Sequence, residues 1–195
     1  GMRGTGFYFS PNEKTAGNYG ANLFPVYVNI RNPFVPSEFA SKAEIAERLG
    51  VDESIFVYSP GSDFRVYQPF SDVFASAVQH AGYDGVLYPQ GQEVIAFRSE
   101  QIKSATDNNG QFDAGNPDIR FSMAGAVEVG APAVDQVQTA AFQDWFGASK
   151  VVNAQGAPLV MYHGTTETTY VPGTTQAGSA SARAELLRMA AMHGI

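Results

Sequence analysis

Residues 158–164, "PLVMYHG", form an apolar strand that the chain must pair with something. The strand runs through Val160 to Tyr162. The preceding "VVNAQGA" (151–157) reads as a first strand and an Ala-Gln-Gly turn, so the two make a hairpin. Left alone, such a strand exposes a row of unpaired backbone groups and invites aggregation. The expectation is therefore that residues 139–166 dock onto the body formed by residues 6–122.

That body is a mixture of short strands and helices, an α+β pattern. "GFYFS" (6–10) reads as a strand and "PNEKTAGNYG" (11–20) as a turn into a short helix, with Ser10 as N-cap and Pro11 in the first turn. "FPVYVNIRNPFVP" (24–36) reads as one strand stopped at Pro33. "SEFASKAEIAERLG" (37–50) is a helix capped by Ser37 and closed by Gly50. Residues 51–69 look irregular. "DVFASAVQHAGYDGVLY" (72–88) gives a helix to about Gly82, a turn at Asp84-Gly85 and a buried strand. "GQEVIAFRSEQIKSA" (91–105) is a further strand centred on Val94 to Phe97. Four blocks follow: a main body over 1–122, a linker over 123–138, a helix and hairpin over 139–166, and a loop with a terminal helix over 167–195. A linker of 16 residues (123–138) spans roughly 22 Å on average and about 55 Å at most, enough to cross a small domain.

Composition removes several function classes. A chain of 195 residues that is 44% hydrophobic is long and apolar enough for one well-buried domain with an appendage. Gly1-Met2 reads as a leading residue before a start methionine. The absence of cysteine excludes disulfides, thiolate nucleophiles and Cys-bound zinc. It fits a cytoplasmic protein, including one delivered into a host cell. A net charge of −7 with only 12 Lys and Arg disfavours nucleic acid, because phosphate neutralisation needs a basic surface. His80, His163 and His193 lie far apart, so no histidine-based metal site is expected. No apolar run near the length of a membrane span occurs. The P-loop, dinucleotide-fingerprint and zincin motifs are missing.

Three phrases carry a resemblance. "GFYFSPNEKTAGNYG", "GQEVIAF" and "MYHGT" resemble the three strand motifs of ADP-ribosyltransferases of the diphtheria-toxin and poly(ADP-ribose) polymerase type. The flanking phrases "FQDWFGASKVVNAQGAPLVMYHGT" and "QEVIAFRSEQIKSATDNNGQFDAGNPDIRF" are similar to the family members carried by phage and mobile-element polyvalent proteins. The resemblance covers about 6–122 and 139–166. It implies a split β-sheet core with peripheral helices, and it implies NAD as substrate. The family order is histidine, tyrosine, glutamate, whereas this chain gives Tyr8 and Tyr19, then Glu93, then His163. Either the domain is circularly permuted, or it is completed by strand exchange, as in a swapped homodimer.

The resemblance also implies roles. Glu93 would be the catalytic carboxylate beside the ribosyl cation; Tyr8 and Tyr19 would sandwich nicotinamide. His163 would bond the ADP-side ribose, and Gly164 would hold the carboxamide with its main chain, beside Thr165. Ala16 stands where relatives often carry a carboxamide-binding serine. Gly91 stands two residues before Glu93, so the double-glutamate signature of arginine-modifying relatives is missing. Each residue has an ordinary competing role: a solvated strand-end Glu93, core or rim tyrosines, a structural His163. Three functions stay open: transfer of ADP-ribose from NAD to an acceptor, expected to be a host protein; a catalytically inactive binding or interaction module; and a truncated tandem-domain remnant.

Overall fold

The computed structural model describes residues 6–55, 72–88, 93–106, 108 and 135–166. Two small sheets organise them. The first runs in the order β1 (Phe7–Phe9), β5 (Val94–Ala96), β4 (Gly85–Leu87), β3 (Pro33–Phe34). The second runs β6 (Ile102–Ser104), β2 (Asn22–Val28), β7 (Met161–Thr165). All pairings are antiparallel except β3 with β4. The helices are α1 (Glu13–Gly17), α2 (Lys42–Leu49), α3 (Asp72–His80) and α4 (Ala140–Phe146).

Side-chain alternation along the strands builds the layers. In β5, Ile95 faces a core made with Phe34, Ile45, Phe74, Val78 and Val86, which α2 and α3 cover. Its neighbours Val94 and Ala96 face the other way, toward Phe9, Val26, Val28, Ile102 and Met161, so the two sheets pack on each other. The outer face of the second sheet takes a third cluster, Phe142, Trp145 and Phe146 of α4, with Tyr27 edge-on to Phe142 at 4.9 Å. The strand β7 pairs with β2 over five positions, Asn22↔Thr165 through Val26↔Met161. The strand of the 139–166 segment thus pairs with β2 of the body.

Several local expectations are corrected. Asn12, not Ser10, caps α1, its side chain accepting from Thr15 N at 3.2 Å. Ser10 is held extended by exchanging both backbone bonds with Tyr162 (3.0 and 2.8 Å), so the helix starts later. The single strand expected over 24–36 is broken, because the Asp84 carboxylate accepts from the amides of Arg31 and Asn32 and turns the chain. Pro33 then starts β3 rather than ending β2. Gly85 opens β4 instead of sitting in a turn. Ser41 rather than Ser37 caps α2, while Gly50 closes it in the left-handed region (φ 66°) as expected. Phe97 lies past the end of β5. The first hairpin strand shrinks to one bridge, Val152↔Pro158, shaped by the Asn153 side chain accepting from Gln155 N and Ala157 N. Within the expected linker, Gln136–Gln138 is a short helical turn. The rest of that linker, residues 56–71 of the irregular stretch, and the terminal helix lie outside the described residues.

Ser149 shows how tightly the C-terminal segment is built in. Its buried hydroxyl accepts from Ile30 N (3.1 Å) and donates to Val28 O (3.1 Å), continuing β2 where no strand lies alongside. Leaving buried main-chain groups unpaired costs about 1–3 kcal/mol. Ser149→Ala should lower the unfolding free energy by about that amount in urea titration; an unchanged midpoint would contradict this role.

Candidate functional site

Antiparallel pairing makes consecutive residues point their backbone groups to opposite sides of a strand. Tyr162 exchanges its N–H and C=O with Ser10, so these face β1. On the other side Tyr162 lies level with Pro25, whose carbonyl faces β6 and accepts from Ala105 N at 2.9 Å. Two residues on, Gly164 also turns its N–H and C=O toward β1, level with Tyr8. Yet the pairing of β7 with β1 is a single bridge at Ser10↔Tyr162. The two sheets part there, and the peptide groups of Gly164 face the parting.

His163 sits at the interruption. Its Nδ1 lies 2.9 Å from the Tyr8 carbonyl, the acceptor that a continuing ladder would give to Gly164 N–H. A carbonyl only accepts, so Nδ1 carries the proton and Nε2 presents a lone pair. The ring is tilted against Phe9 at 5.7 Å. Burial holds its pKa below the ordinary 6.5, and the bond to Tyr8 offsets this only in part. The imidazole is therefore neutral at pH 7.

On the outer face of β7, α1 closes in. A Cβ at Gly164 would collide with the main chain of Ala16, above all its carbonyl oxygen. A Cβ at Gly20 would likewise strike the Thr165 carbonyl. Glycine is required at both places because main chain lies against main chain. Asn22 Nδ2 donates to Thr166 O at 3.3 Å, and Glu13 accepts from the Tyr162 hydroxyl, raising that phenol's pKa.

The residues singled out from the sequence are brought to this parting by different elements. Tyr8 is half-buried, its ring packed beside the first core. Ala16 is buried in α1, and Tyr19, 56% exposed, follows one turn later with its N–H on Ala16 O at 3.0 Å. Thr165 is buried at the end of β7. Glu93 is half-buried immediately before β5, its carbonyl accepting from Tyr88 N at 3.0 Å. The register Phe9↔Val94 sets Glu93 level with Ser10, which itself faces Tyr162. Glu93 and Tyr162 thus flank Ser10 at a separation of two strand spacings, about 10 Å between Cα atoms. By alternation Glu93 shares the face of Ile95 and Tyr8. Three residues essential to this geometry carried no sequence signal as site residues: Ser10, Gly20 and Glu13.

A hollow of about 290 Å³ beside α4, lined by Val137, Phe142, Phe146, Val152 and Pro158, contains none of these residues. Among the described residues no group of three His, Cys, Asp or Glu could hold a metal ion. Among the same residues no helix is long and apolar enough to cross a membrane.

Residues 1–112 match the family model "ADP-Ribosyltransferase in polyvalent proteins". The chain belongs to that family. The matched span carries Tyr8, Ala16, Tyr19 and Glu93, while the strand with His163, Gly164 and Thr165 lies beyond it. No curated protein and no solved structure matches the chain.

Two outcomes follow from the contacts of β7. Gly164→Ala should destabilise the fold by about 1–3 kcal/mol, since backbone must move to admit the methyl group. Gly17→Ala, whose Cβ meets nothing within 4 Å, is the control; equal effects in denaturant titration would contradict the interlock. For His163, the folded pKa lies below the unfolded value, so the unfolded chain takes the proton first as pH falls. The ring's contribution is whole above the unfolded value of about 6.5 and is lost as pH drops through the folded value. Thermal unfolding followed from neutral to acid pH should show the parent losing more stability than His163→Gln. Parallel pH profiles would contradict the burial of a neutral ring.

Proposed function

We propose that this ADP-ribosyltransferase family member transfers ADP-ribose from NAD to an acceptor and releases nicotinamide. The observation that carries the reading is the pair of Gly164 peptide groups turned into the parting of the sheets. One donor and one acceptor side by side on a strand complement a primary carboxamide, which offers the same two groups in reverse. The missing side chain admits the Ala16 main chain, which sets α1 directly beside these groups. Tyr8 and Tyr19 stack on the two faces of the nicotinamide ring, each such contact adding about 0.5–1.5 kcal/mol beyond area burial. The lone pair on His163 Nε2 accepts a hydroxyl of the ADP-side ribose, a role that suits a ring kept neutral. Thr165 supports this strand end.

Chemistry follows from the bond that breaks. The glycosidic C–N bond cleaves with its electron pair going to nicotinamide, which leaves neutral, while the ribose becomes an oxocarbenium-like cation. Glu93 hydrogen-bonds the ribose 2′-hydroxyl and stabilises the positive charge as it develops. A nucleophile of the acceptor then bonds the anomeric carbon and loses its proton. We propose a protein side chain of a host cell as that acceptor, and the cytoplasm as the place of action. The family's histidine–tyrosine–glutamate order is then met by a circularly permuted chain rather than by strand exchange; the support is the pairing of β7 with β2 inside one chain.

Ala16 favours a second reading. It is buried at the position where relatives often carry a serine for the carboxamide, so one clamp bond is missing. A protein that binds NAD or nicotinamide without turnover, an interaction module, is consistent with that loss. Incubation with NAD separates the two readings. Transfer predicts free nicotinamide, falling about 10²–10³-fold in Glu93→Gln. Binding without release supports the module, and neither binding nor release contradicts both.

A further inference from the structure

We infer that the groove between β1 and β2 is a strand-acceptor surface, and that residues 135–166 dock into it as a self-contained piece whose covalent link through 109–134 the fold does not need. Four independent observations support this.

First, the link closes at its base. Gln136 Nε2 donates to Asn108 O at 2.8 Å, so the chain leaves the body and re-enters it at the same place. The points of exit and re-entry touch, and the chain entropy of closing a connection changes only slowly with its length. Second, the piece is anchored by its own contacts. Trp145 Nε1 donates to Glu100 O (3.1 Å), Asn29 Nδ2 to Trp145 O (2.6 Å) and Lys150 N to Ile30 O (2.6 Å). Arg31 caps the C-terminal carbonyls of α4 at Asp144 and Trp145. Third, the piece carries its own small core, Phe142, Trp145 and Phe146, and contributes Val151 and Met161 to the core between the sheets.

Fourth, the register sets the two described ends beside each other. From the bridge Ser10↔Tyr162, antiparallel counting puts Tyr8 level with Gly164 and Gly6 level with Thr166. The end of β7 and the start of β1 thus lie at the same end of adjacent strands. An unbroken path 135–166 followed by 6–108 would connect them as an ordinary antiparallel turn. In that order the residues read His163, Tyr8, Tyr19, Glu93. The family match, which stops at residue 112, ends close to the base of the same loop.

The test keeps every residue of the chain and does not use NAD, so it stands or falls apart from the proposed activity. In one arm a protease site is placed between Phe121 and Ser122, and the folded protein is cut. The two fragments should co-elute one to one at micromolar concentration without denaturant. In the other, Ile195 is joined to Gly1 and the chain is opened between Phe121 and Ser122. This permutant should unfold cooperatively within about 3 °C of the parent, a shift of roughly 1 kcal/mol, with the parent's near-UV spectrum. Fragments that separate on the column would overturn the inference. So would a permutant without cooperative unfolding.

Discussion

The hydrogen bond from His163 Nδ1 to the Tyr8 carbonyl, 2.9 Å long, governs the rest. It engages the β1 carbonyl that a ladder with β7 carried on beyond Ser10 would use. A sheet that could have been continuous is split, and the peptide groups of Gly164 are left facing the gap. The bond also fixes the tautomer, and burial fixes the charge, so the ring offers an acceptor and no proton. One side chain therefore both sits at the cleft and presents a polar atom at its edge.

Rigidity on the other side of the cleft comes from close main-chain packing. Gly164 against Ala16 and Gly20 against Thr165 bring α1 and the turn after it directly onto β7. Because Ala16 and Tyr19 ride on this segment, their distance from the strand is set by backbone contact rather than by adjustable side chains. Glu93 is placed differently, by the register of β5 on β1. The site is thus assembled from three parts of the chain whose positions are fixed by backbone pairing, an arrangement that resists displacement better than one held by loops.

Much of this was legible in the sequence, for local reasons. A helix within 139–166, the closing of α2 at Gly50, and the strand nature of "VIA" and "VYV" follow from residue type and period. The need of "PLVMYHG" for a partner followed from its unpaired edges. Where local chemistry offered two equal candidates, tertiary pairing chose between them. Ser10 and Asn12 are both good N-caps, but Ser10 is claimed by Tyr162, across 152 positions of chain (162 minus 10). Asp84 breaks the long strand expected over 24–36 from 53 residues away. The candidate site residues were named through family resemblance, whereas the contact between His163 and Tyr8 was not readable. It depends on an imidazole and a carbonyl 155 residues apart, and no local pattern encodes that meeting.

Amide hydrogen exchange at Gly164, compared with Tyr162 in the same strand, tests the account most directly. The account predicts that Gly164 N–H exchanges fast in the free protein, while Tyr162 N–H, bonded to Ser10, is strongly protected. Equal protection of the two amides in the free protein would mean that the ladder continues past Ser10, and the split on which the site rests would not exist.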